Sequence, residues 1–176
     1  MWEGLKMAVL VKDVMIKDII TLNDKATIGD AVETFANKEI GCLPMVDDNG
    51  TLIAFLSDGD IVSYVVNNVR LAEVESKHYR YRYPKEICTN YFTMLLQNCV
   101  DKPAYNAATH RVVAVNELDS VRRTAELMQK KHLKHLPVLD EDGHLVGIIT
   151  RNDIINGLFR DYLDDPDAPC VEGFDY

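Results

Sequence analysis

The chain has 176 residues, of which 47% are hydrophobic and 27% are charged, and its formal net charge is −9. This length suits one ordinary domain or two small ones that share a core, and it leaves little room for a large catalytic domain. The acidic balance argues against a nucleic-acid partner, because that affinity comes mainly from clustered Lys and Arg that neutralise phosphates.

Hydropathy and cysteine usage favour a protein of the cytoplasm. No uninterrupted apolar run approaches the roughly 18 to 20 residues that cross a bilayer, so no membrane contact is expected. The opening Met-Trp-Glu-Gly-Leu-Lys lacks the basic and apolar regions of a secretory signal. The cysteines form no C-x-x-C pair and are expected to be isolated thiols rather than disulfide partners or zinc ligands. They are Cys42, Cys88, Cys99 and Cys170.

The sequence contains an internal repeat. Pro44 aligns with Pro137, 93 positions later, and the same offset aligns Asp60 with Asp153 without a gap. Further identities at this offset join residues 23 and 116, 47 and 140, and 50 and 143. Such self-similarity predicts two copies of one small supersecondary unit.

Each copy begins with a short β-branched run suited to a buried strand, at residues 19–22 and again at 112–115. A helix follows, with Thr27 or Ser120 as its hydroxyl N-cap and apolar residues recurring at helical spacing behind the cap. These apolar positions are Ile28, Ala31, Val32 and Phe35 in the first copy, and Val121, Ala125 and Met128 in the second.

The second half of each copy is predicted to be a hairpin and a closing helix. A Leu-Pro strand ends in an acidic, Gly-terminated tetrapeptide, residues 47–50 or 140–143, which is typical of a hairpin turn. A returning strand, 52–56 or 145–149, then enters an apolar helix. The predicted order is β-α-β-β-α in each copy. The apolar positions of the closing helices are Ile61, Tyr64, Val65, Ile154, Leu158 and Phe159.

The pattern divides the chain into four parts. The copies are predicted at residues 10–72 and 107–165, with a linker at 73–106 and an acidic tail at 166–176. The linker is rich in tyrosine and carries one amphipathic pattern at 88–100, which favours a helix that covers an exposed edge over an aromatic binding platform. The tail, broken by proline, is expected to be a mobile or draped arm.

This ordered set resembles the CBS (cystathionine β-synthase) domain family, whose tandem pair is called a Bateman module. The resemblance rests on Val-Lys-Asp-Val-Met at 11–15, on Leu-Pro, two apolar residues and Asp in both copies, and on residues 145–153. The second copy departs from the opening signature, with residues 104–108 aligned to 11–15. The resemblance implies an α/β fold of two repeats packed about a pseudo-two-fold axis, with adenosine derivatives in the clefts between them.

The start of the last closing helix is the predicted main site. Asp153, three positions after Thr150, matches the family's ribose-binding acid, and charge-assisted hydrogen bonds to ribose hydroxyls are strong. Local sequence alone favours Thr150 as a helix cap with Asp153 in the first turn, and both roles are compatible. Basic side chains nearby are expected to meet phosphates, and an apolar slot to hold adenine. The predicted main-site residues are Val112, Val113, Ala114, Lys134, His135, Pro137, Thr150, Arg151 and Asp153.

The first copy is predicted to be the weaker site. It has Asp58 where the second copy has Arg151, and a carboxylate there repels phosphate. Gly41-Cys42 replaces the Lys134-His135 pair, and Ala54 replaces Gly147, whose missing side chain is interpreted as room for a ligand. A ligand without phosphate is penalised less at this site. The predicted weaker-site residues are Ile20, Thr21, Pro44, Ser57 and Asp60.

No metal site and no catalytic residue are predicted. His132 and His135 lie three positions apart, but the neighbouring lysines oppose a cation. The sequence holds no G-x-x-x-x-G-K phosphate loop, no nucleophile elbow and no convincing acid/base dyad, so an enzyme is not expected.

The resemblance implies a regulatory, ligand-sensing module without a cofactor. Its ligand is expected to be AMP, ADP or ATP, or alternatively S-adenosylmethionine, and its output is expected to reach a partner protein in trans. A homodimer is expected as well. A ligand-free dimerisation scaffold is the alternative, and a nucleotide-processing enzyme is a weaker one. The predicted dimer face comprises Ile154, Ile155, Leu158, Phe159 and Tyr162.

Overall fold

The computed structural model describes residues 9–75 and 97–164, with side chains over 9–68 and 97–159. The chain forms two compact units: one is Ile20–Val112, and the other joins the residues up to Ile19 to those from Val113 onward. The acidic tail and most of the predicted linker, including most of its helix, lie outside the described residues.

The predicted β-α-β-β-α order is confirmed in both repeats. Two short pieces of helix also occur, each ahead of the first strand of a repeat. In chain order the elements are α1 (Val11–Val14), β1 (Leu22–Asn23), α2 (Ile28–Lys38), β2 (Cys42–Val46), β3 (Leu52–Ser57), α3 (Asp58–Glu75), a 3-10 turn (Ala104–Asn106), β4 (Val115–Asn116), α4 (Val121–Lys131), β5 (His135–Leu139), β6 (Leu145–Thr150) and α5 (Arg151–Asp164).

Each unit contains one three-stranded mixed sheet, in the order β1-β2-β3 or β4-β5-β6. The first two strands of each sheet are parallel, and Leu22 opposite Met45 repeats as Val115 opposite Val138. The last two strands form an antiparallel hairpin, and both hairpins shift register near the end of the middle strand. The parallel pair needs a crossover, which α2 and α4 supply. The repeat is therefore preserved at the level of strand register.

The predicted caps and turns are also confirmed. Thr27 Oγ1 accepts the N–H of Asp30 at 3.2 Å, and Ser120 Oγ accepts the N–H of Arg123 at 3.3 Å. The hairpin turns end at Gly50 and Gly143, whose φ angles of +80° and +86° suit a residue without a side chain. The helices consequently begin where the sequence placed them, with their apolar stripes against the sheet. The fully buried members are Ile28, Ala31, Val121 and Met128.

The first strand of each repeat is shorter than predicted. The β-branched runs at 19–22 and 112–115 become strand only from Leu22 and Val115 onward. Glu117 N–H donates to the carbonyl of Leu139, so the backbone of Leu139 faces β4. Every second residue of β5, counted from Leu139, therefore directs its N–H and carbonyl toward β4. Residue 137, two positions earlier on that side, is proline and has no N–H. The Leu-Pro motif therefore ends the parallel ladder and leaves residues 113–114, like 20–21, outside it.

Each repeat is completed by a lead segment, which we define as residues 9–16 or 102–109. Val11 N–H donates to the carbonyl of Asp119, and Ile16 N–H donates to that of Ile148, both at 2.9 Å. The equivalent bonds in the other unit run from Ala104 to residue 26 and from Thr109 to residue 55. The lead segment that precedes one repeat in sequence thus packs on the other repeat in space. It also identifies residues 104–108 as the structural counterpart of 11–15.

The two lead segments differ in where the large side chains lie. One lead segment has large side chains that face glycines of its repeat, and the other has small side chains where its repeat has larger residues. A Cβ on Gly147 would lie 2.5 Å from Met15 Sδ and 3.1 Å from the carbonyl oxygen of Ile16. A Cβ on Gly157 would lie 2.8 Å from a methyl carbon of Val14. In the other unit the glycine positions hold Ala54 and Tyr64, and the lead segment is reduced to Ala104, Ala107 and Ala108. The interpretation of Gly147 as room for a ligand is therefore wrong, since it makes room for Met15.

Candidate ligand-binding site

The start of α5 is organised by a reciprocal set of hydrogen bonds between Thr150 and Asp153. Asp153 Oδ2 accepts both the backbone N–H of Thr150, at 2.8 Å, and its hydroxyl, at 2.7 Å. In return, Thr150 Oγ1 accepts the backbone N–H of Asp153 at 3.3 Å. This is a capping box, so the capping interpretation of Thr150 and Asp153 is confirmed. Among the described residues, none donates to the other carboxylate oxygen, Oδ1.

The start of α3 has the same arrangement. Asp60 Oδ2 accepts the backbone N–H of Ser57 at 2.8 Å and its hydroxyl at 2.6 Å, and Ser57 Oγ accepts the N–H of Asp60 at 3.2 Å. Both carboxylates are half-buried. The two repeats therefore present an equivalent carboxylate, held in one orientation by the same three bonds.

The sheet brings the other predicted main-site residues to the same edge as Asp153. His135, the first residue of β5, is paired with Thr150, the last of β6. The backbone N–H of Arg151 donates to the carbonyl of Lys134 at 3.1 Å. Because β4 is parallel to β5, the half-buried residues 113–114 that precede β4 also lie at this edge. Val112, also half-buried, is the last residue of the other compact unit.

The prolines predicted to line the adenine slot are part of the middle strands. Pro137 lies opposite Ile148 and Pro44 opposite Phe55, and both prolines are buried. Ile20 is half-buried against the core of its unit, and Thr21, next to β1, is exposed. The main effect of each proline is therefore to remove a backbone N–H donor. This ends the parallel ladder next to the segment that precedes the first strand of the repeat.

Positive charge surrounds the site of the second repeat. Lys134 and Arg151 are exposed. His135, which follows Lys134 and is paired with the neighbour of Arg151, is half-buried. The Nε–H of Arg151 donates to the carbonyl of Leu133 at 2.8 Å, which holds the guanidinium against the turn that leads into β5. No sequence pattern predicts this bond, because the acceptor is a backbone carbonyl 18 positions away.

The corresponding edge of the first repeat is acidic. Asp58 N–H donates to the carbonyl of Gly41 at 3.1 Å, the same backbone bond that Arg151 makes to Lys134. Cys42, in the place of His135, is only 7% exposed, and its burial together with the nearby Asp58 carboxylate raises the pKa of the thiol to about 12. The cysteine is therefore neutral at physiological pH, and Asp58 and Asp60 are the charged groups at this position.

One cluster elsewhere has the donor types of a metal site. The side-chain ligand atoms of Asp140, Asp142 and His144 lie within 4.8 Å of one another in the second hairpin turn. Asp140 Oδ1 already accepts the backbone N–H groups of the other two residues, and these bonds lower the pKa of Asp140. The cluster is thus accounted for as a turn. His132, which caps α4 in the left-handed conformation, is not part of it.

The closing helices carry exposed apolar side chains. Ile155, Leu158 and Phe159 on α5 are 63%, 45% and 57% exposed. Ile154, predicted with them as part of a dimer face, is instead only 5% exposed and packs in the core of its unit. The side chain of Tyr162 lies outside the part of the chain whose side chains are described.

A known domain family matches both repeats of the chain. The family model for the CBS domain matches residues 11–67 and again 104–160, one match for each repeat. The chain belongs to the CBS domain family. Its two repeats form a tandem CBS pair, the arrangement called a Bateman module. The predicted family and α/β fold are thereby confirmed.

Individual relatives agree with this assignment. The protein MJ1426 of Methanocaldococcus jannaschii is 28% identical over 160 residues, which cover 85% of this chain and 90% of that protein. The CBS domain pair of protein MJ0100, solved in complex with 5-methylthioadenosine and S-adenosyl-L-methionine, is 25% identical with a TM-score of 0.64, covering 88% and 98% of the two chains. CBSX2, solved in complex with AMP, is 24% identical with a TM-score of 0.64, covering 87% and 98%, and shows the shared fold.

Enzymes also occur among the relatives, but only a part of each is matched. A homoserine O-acetyltransferase of Methanohalobium evestigatum and the inosine-5'-monophosphate dehydrogenase of Methanocaldococcus jannaschii are 26% and 25% identical. The match spans 23% and 22% of their lengths. Within residues 9–75 and 97–164, no helix combines the length and the apolar character that a membrane crossing requires.

Proposed function

We propose that this CBS pair is a regulatory module that binds an adenosine-containing ligand, with its main site at Asp153 in the second repeat. The observation that carries the proposal is the oriented carboxylate of Asp153, whose Oδ1 receives no hydrogen bond from the described residues. An ionised oxygen fixed at a sheet edge is suited to accept hydrogen bonds from ribose hydroxyls.

The hydroxyl of Thr150 has a positioning role in this proposal. Its single proton is donated to Asp153 Oδ2, so it has none to offer a phosphate group. A phosphate is instead expected to meet Lys134, His135 and Arg151. The positive charge at this edge favours AMP, ADP or ATP at the second repeat.

The adenine is expected to lie against the segment that precedes β4. Val112, Val113 and Ala114 are half-buried and apolar, and the proline in β5 leaves the carbonyl of residue 113 without its strand donor. None of the described residues donates to that carbonyl, so it can accept from an exocyclic amine, while the side chains offer an apolar surface to the base. The MJ0100 pair supports an adenosine ligand, because it was solved with two adenosine compounds.

The output of the module is proposed to pass through protein contacts rather than catalysis. A ligand alters an equilibrium between arrangements only by its differential affinity for them, which typically amounts to about 1 to 3 kcal/mol. The exposed apolar face of α5 is proposed to form a homodimer, and the regulated protein to bind in trans.

A matched pair of variants tests the proposed site. Calorimetric titration of the wild type with AMP, ADP, ATP and S-adenosylmethionine is compared with Asp153→Ala and Asp60→Ala. Both variants lose the same capping box, so any loss of helix stability is matched between them. We expect roughly tenfold to a hundredfold weaker nucleotide binding for Asp153→Ala, from the loss of one or more charge-assisted bonds, and a smaller loss for Asp60→Ala.

A ligand-free dimerisation scaffold is the second candidate, favoured by the exposed apolar side chains of α5. Sedimentation of Phe159→Glu and of the wild type, with and without AMP, separates the two functions. The scaffold requires dimers that dissociate in the variant and no heat of binding for any adenosine compound. Binding by the wild type, reduced in Asp153→Ala, rules it out.

A further inference from the structure

We propose that Asp58 is a specificity-determining residue that makes the first repeat selective for adenosine compounds without a phosphate group. The inference rests on the proposed function, because it assumes that Asp60 serves the ribose as Asp153 does. It extends that function by assigning different ligand classes to the two repeats, namely nucleotides to the second and uncharged or cationic nucleoside derivatives to the first.

The geometry places Asp58 at the equivalent of the cation that is proposed to meet phosphate. Asp58 is the first residue of α3, as Arg151 is of α5, and both donate a backbone N–H to the residue before the middle strand. Asp58 Oδ1 accepts the N–H of Gly59 at 2.6 Å, which fixes the carboxylate at the beginning of the helix. Arg151 instead extends to the carbonyl of Leu133.

At the positions equivalent to Lys134 and His135, the first repeat has no cation to compensate for the carboxylate. Gly41 and Cys42 replace Lys134 and His135, and the buried thiol is close enough to Asp58 for its pKa to be raised by that charge. The first repeat therefore has two carboxylates and no cation among these positions, whereas the second has one carboxylate and two cations. A phosphate is repelled at the first, and a positively charged group on the ligand is attracted.

The expected size of the effect follows from Coulomb's law. Removing one like charge roughly 8 Å from another, at an effective dielectric constant of about 40, changes affinity by about fivefold. Reversal of the charge doubles the free-energy change, which corresponds to roughly twenty-five-fold. Screening by salt reduces both effects.

The test weakens the second repeat roughly tenfold to a hundredfold with Asp153→Ala, the variant called the blocked protein below, so that the first repeat is measured against a reduced background. Calorimetry then measures the dissociation constants of AMP and 5-methylthioadenosine, two probes that differ chiefly in the phosphate. We expect the blocked protein to bind 5-methylthioadenosine at least fivefold more tightly than AMP. Adding Asp58→Asn should lower this ratio about fivefold, and adding Asp58→Arg roughly twenty-five-fold. Glu33→Gln, which removes another exposed carboxylate from the same unit, should leave the ratio unchanged.

Three outcomes overturn the inference without touching the proposed function. They are equal affinities for the two probes in the blocked protein, a ratio that Asp58→Asn does not change, and no binding of either probe in the blocked protein while the wild type still binds AMP. Failure of the proposed function looks different, because the wild type itself then binds neither probe. Urea unfolding of each variant confirms that the comparison is made on folded protein.

Discussion

The two repeats hold their closing helices by the same hydrogen bonds but differ in the charges around them and in the lead segments that complete them. Ser57 with Asp60 and Thr150 with Asp153 form capping boxes whose matching distances agree within 0.1 Å. At the neighbouring position, Asp58 stands in one repeat and Arg151 in the other. The backbone framework is duplicated, while the side chains beside it have diverged.

This difference shows which features the fold requires. A cap satisfies helix N–H groups that have no other partner, so a change there costs stability in either repeat. The residue beside the cap is exposed in both repeats and is free to vary in charge. The lead segments vary in another way, because a larger side chain on one surface requires a smaller one opposite.

The largest effect is expected from filling the glycine positions of the second repeat. Gly157→Ala places a methyl group 2.8 Å from a methyl carbon of Val14, and we expect a loss of about 1 to 2 kcal/mol after the gain in helix propensity is allowed for. Combining it with Val14→Ala should recover most of this loss, because the smaller residue imitates Ala107 of the other lead segment. Urea unfolding of the two single variants and the double variant measures the coupling.

Another glycine within a closing helix provides the control for these variants. Gly59 lies in α3, and the nearest atom to an added Cβ is Ser57 Oγ at 3.7 Å. Gly59→Ala should therefore be neutral or slightly stabilising. Additive effects of Gly157→Ala and Val14→Ala would contradict the proposed fit between lead segment and repeat.

An intermediate and equal effect is expected from the two caps. Thr150→Ala and Ser57→Ala each remove a hydroxyl that accepts one backbone N–H and donates to a carboxylate, so each should cost about 1 kcal/mol of unfolding free energy. Chemical denaturation at neutral pH measures both. A difference larger than the cost of one cap would show that the two closing helices do not contribute equally to stability.

The smallest effect is expected from the thiol that replaces His135. Burial and Asp58 raise the pKa of Cys42 from 9.0 to about 12, so the neutral thiol favours the folded state. This stabilisation is complete below about pH 9 and is lost as the pH rises toward 12. Cys42→Ala should therefore flatten the decline of unfolding free energy between pH 9 and 10.5. Parallel curves for the two proteins would contradict the assigned pKa.

The sequence by itself determined the features that depend on the internal repeat or on residues close to one another in the chain. The order of elements and the equivalence of Asp60 and Asp153 follow from the internal repeat. The caps at Thr27 and Ser120 and the hairpin glycines follow from residue type and spacing, because their partners lie within four positions. The charge difference between Asp58 and Arg151 also follows from the sequence alone. The capping role of Asp153 was also predicted from this local pattern.

Only the tertiary structure decided which lead segment completes which repeat, where the first strands begin, and why residue 147 is glycine. Each of these depends on a neighbour distant in sequence: Met15 for Gly147, Asp119 for Val11, and the backbone of β5 for the residues before β4. Hydrophobic periodicity records that a side chain is buried but not which surface covers it. The exchange of lead segments is therefore fixed by packing between distant parts of the chain, which no local pattern encodes.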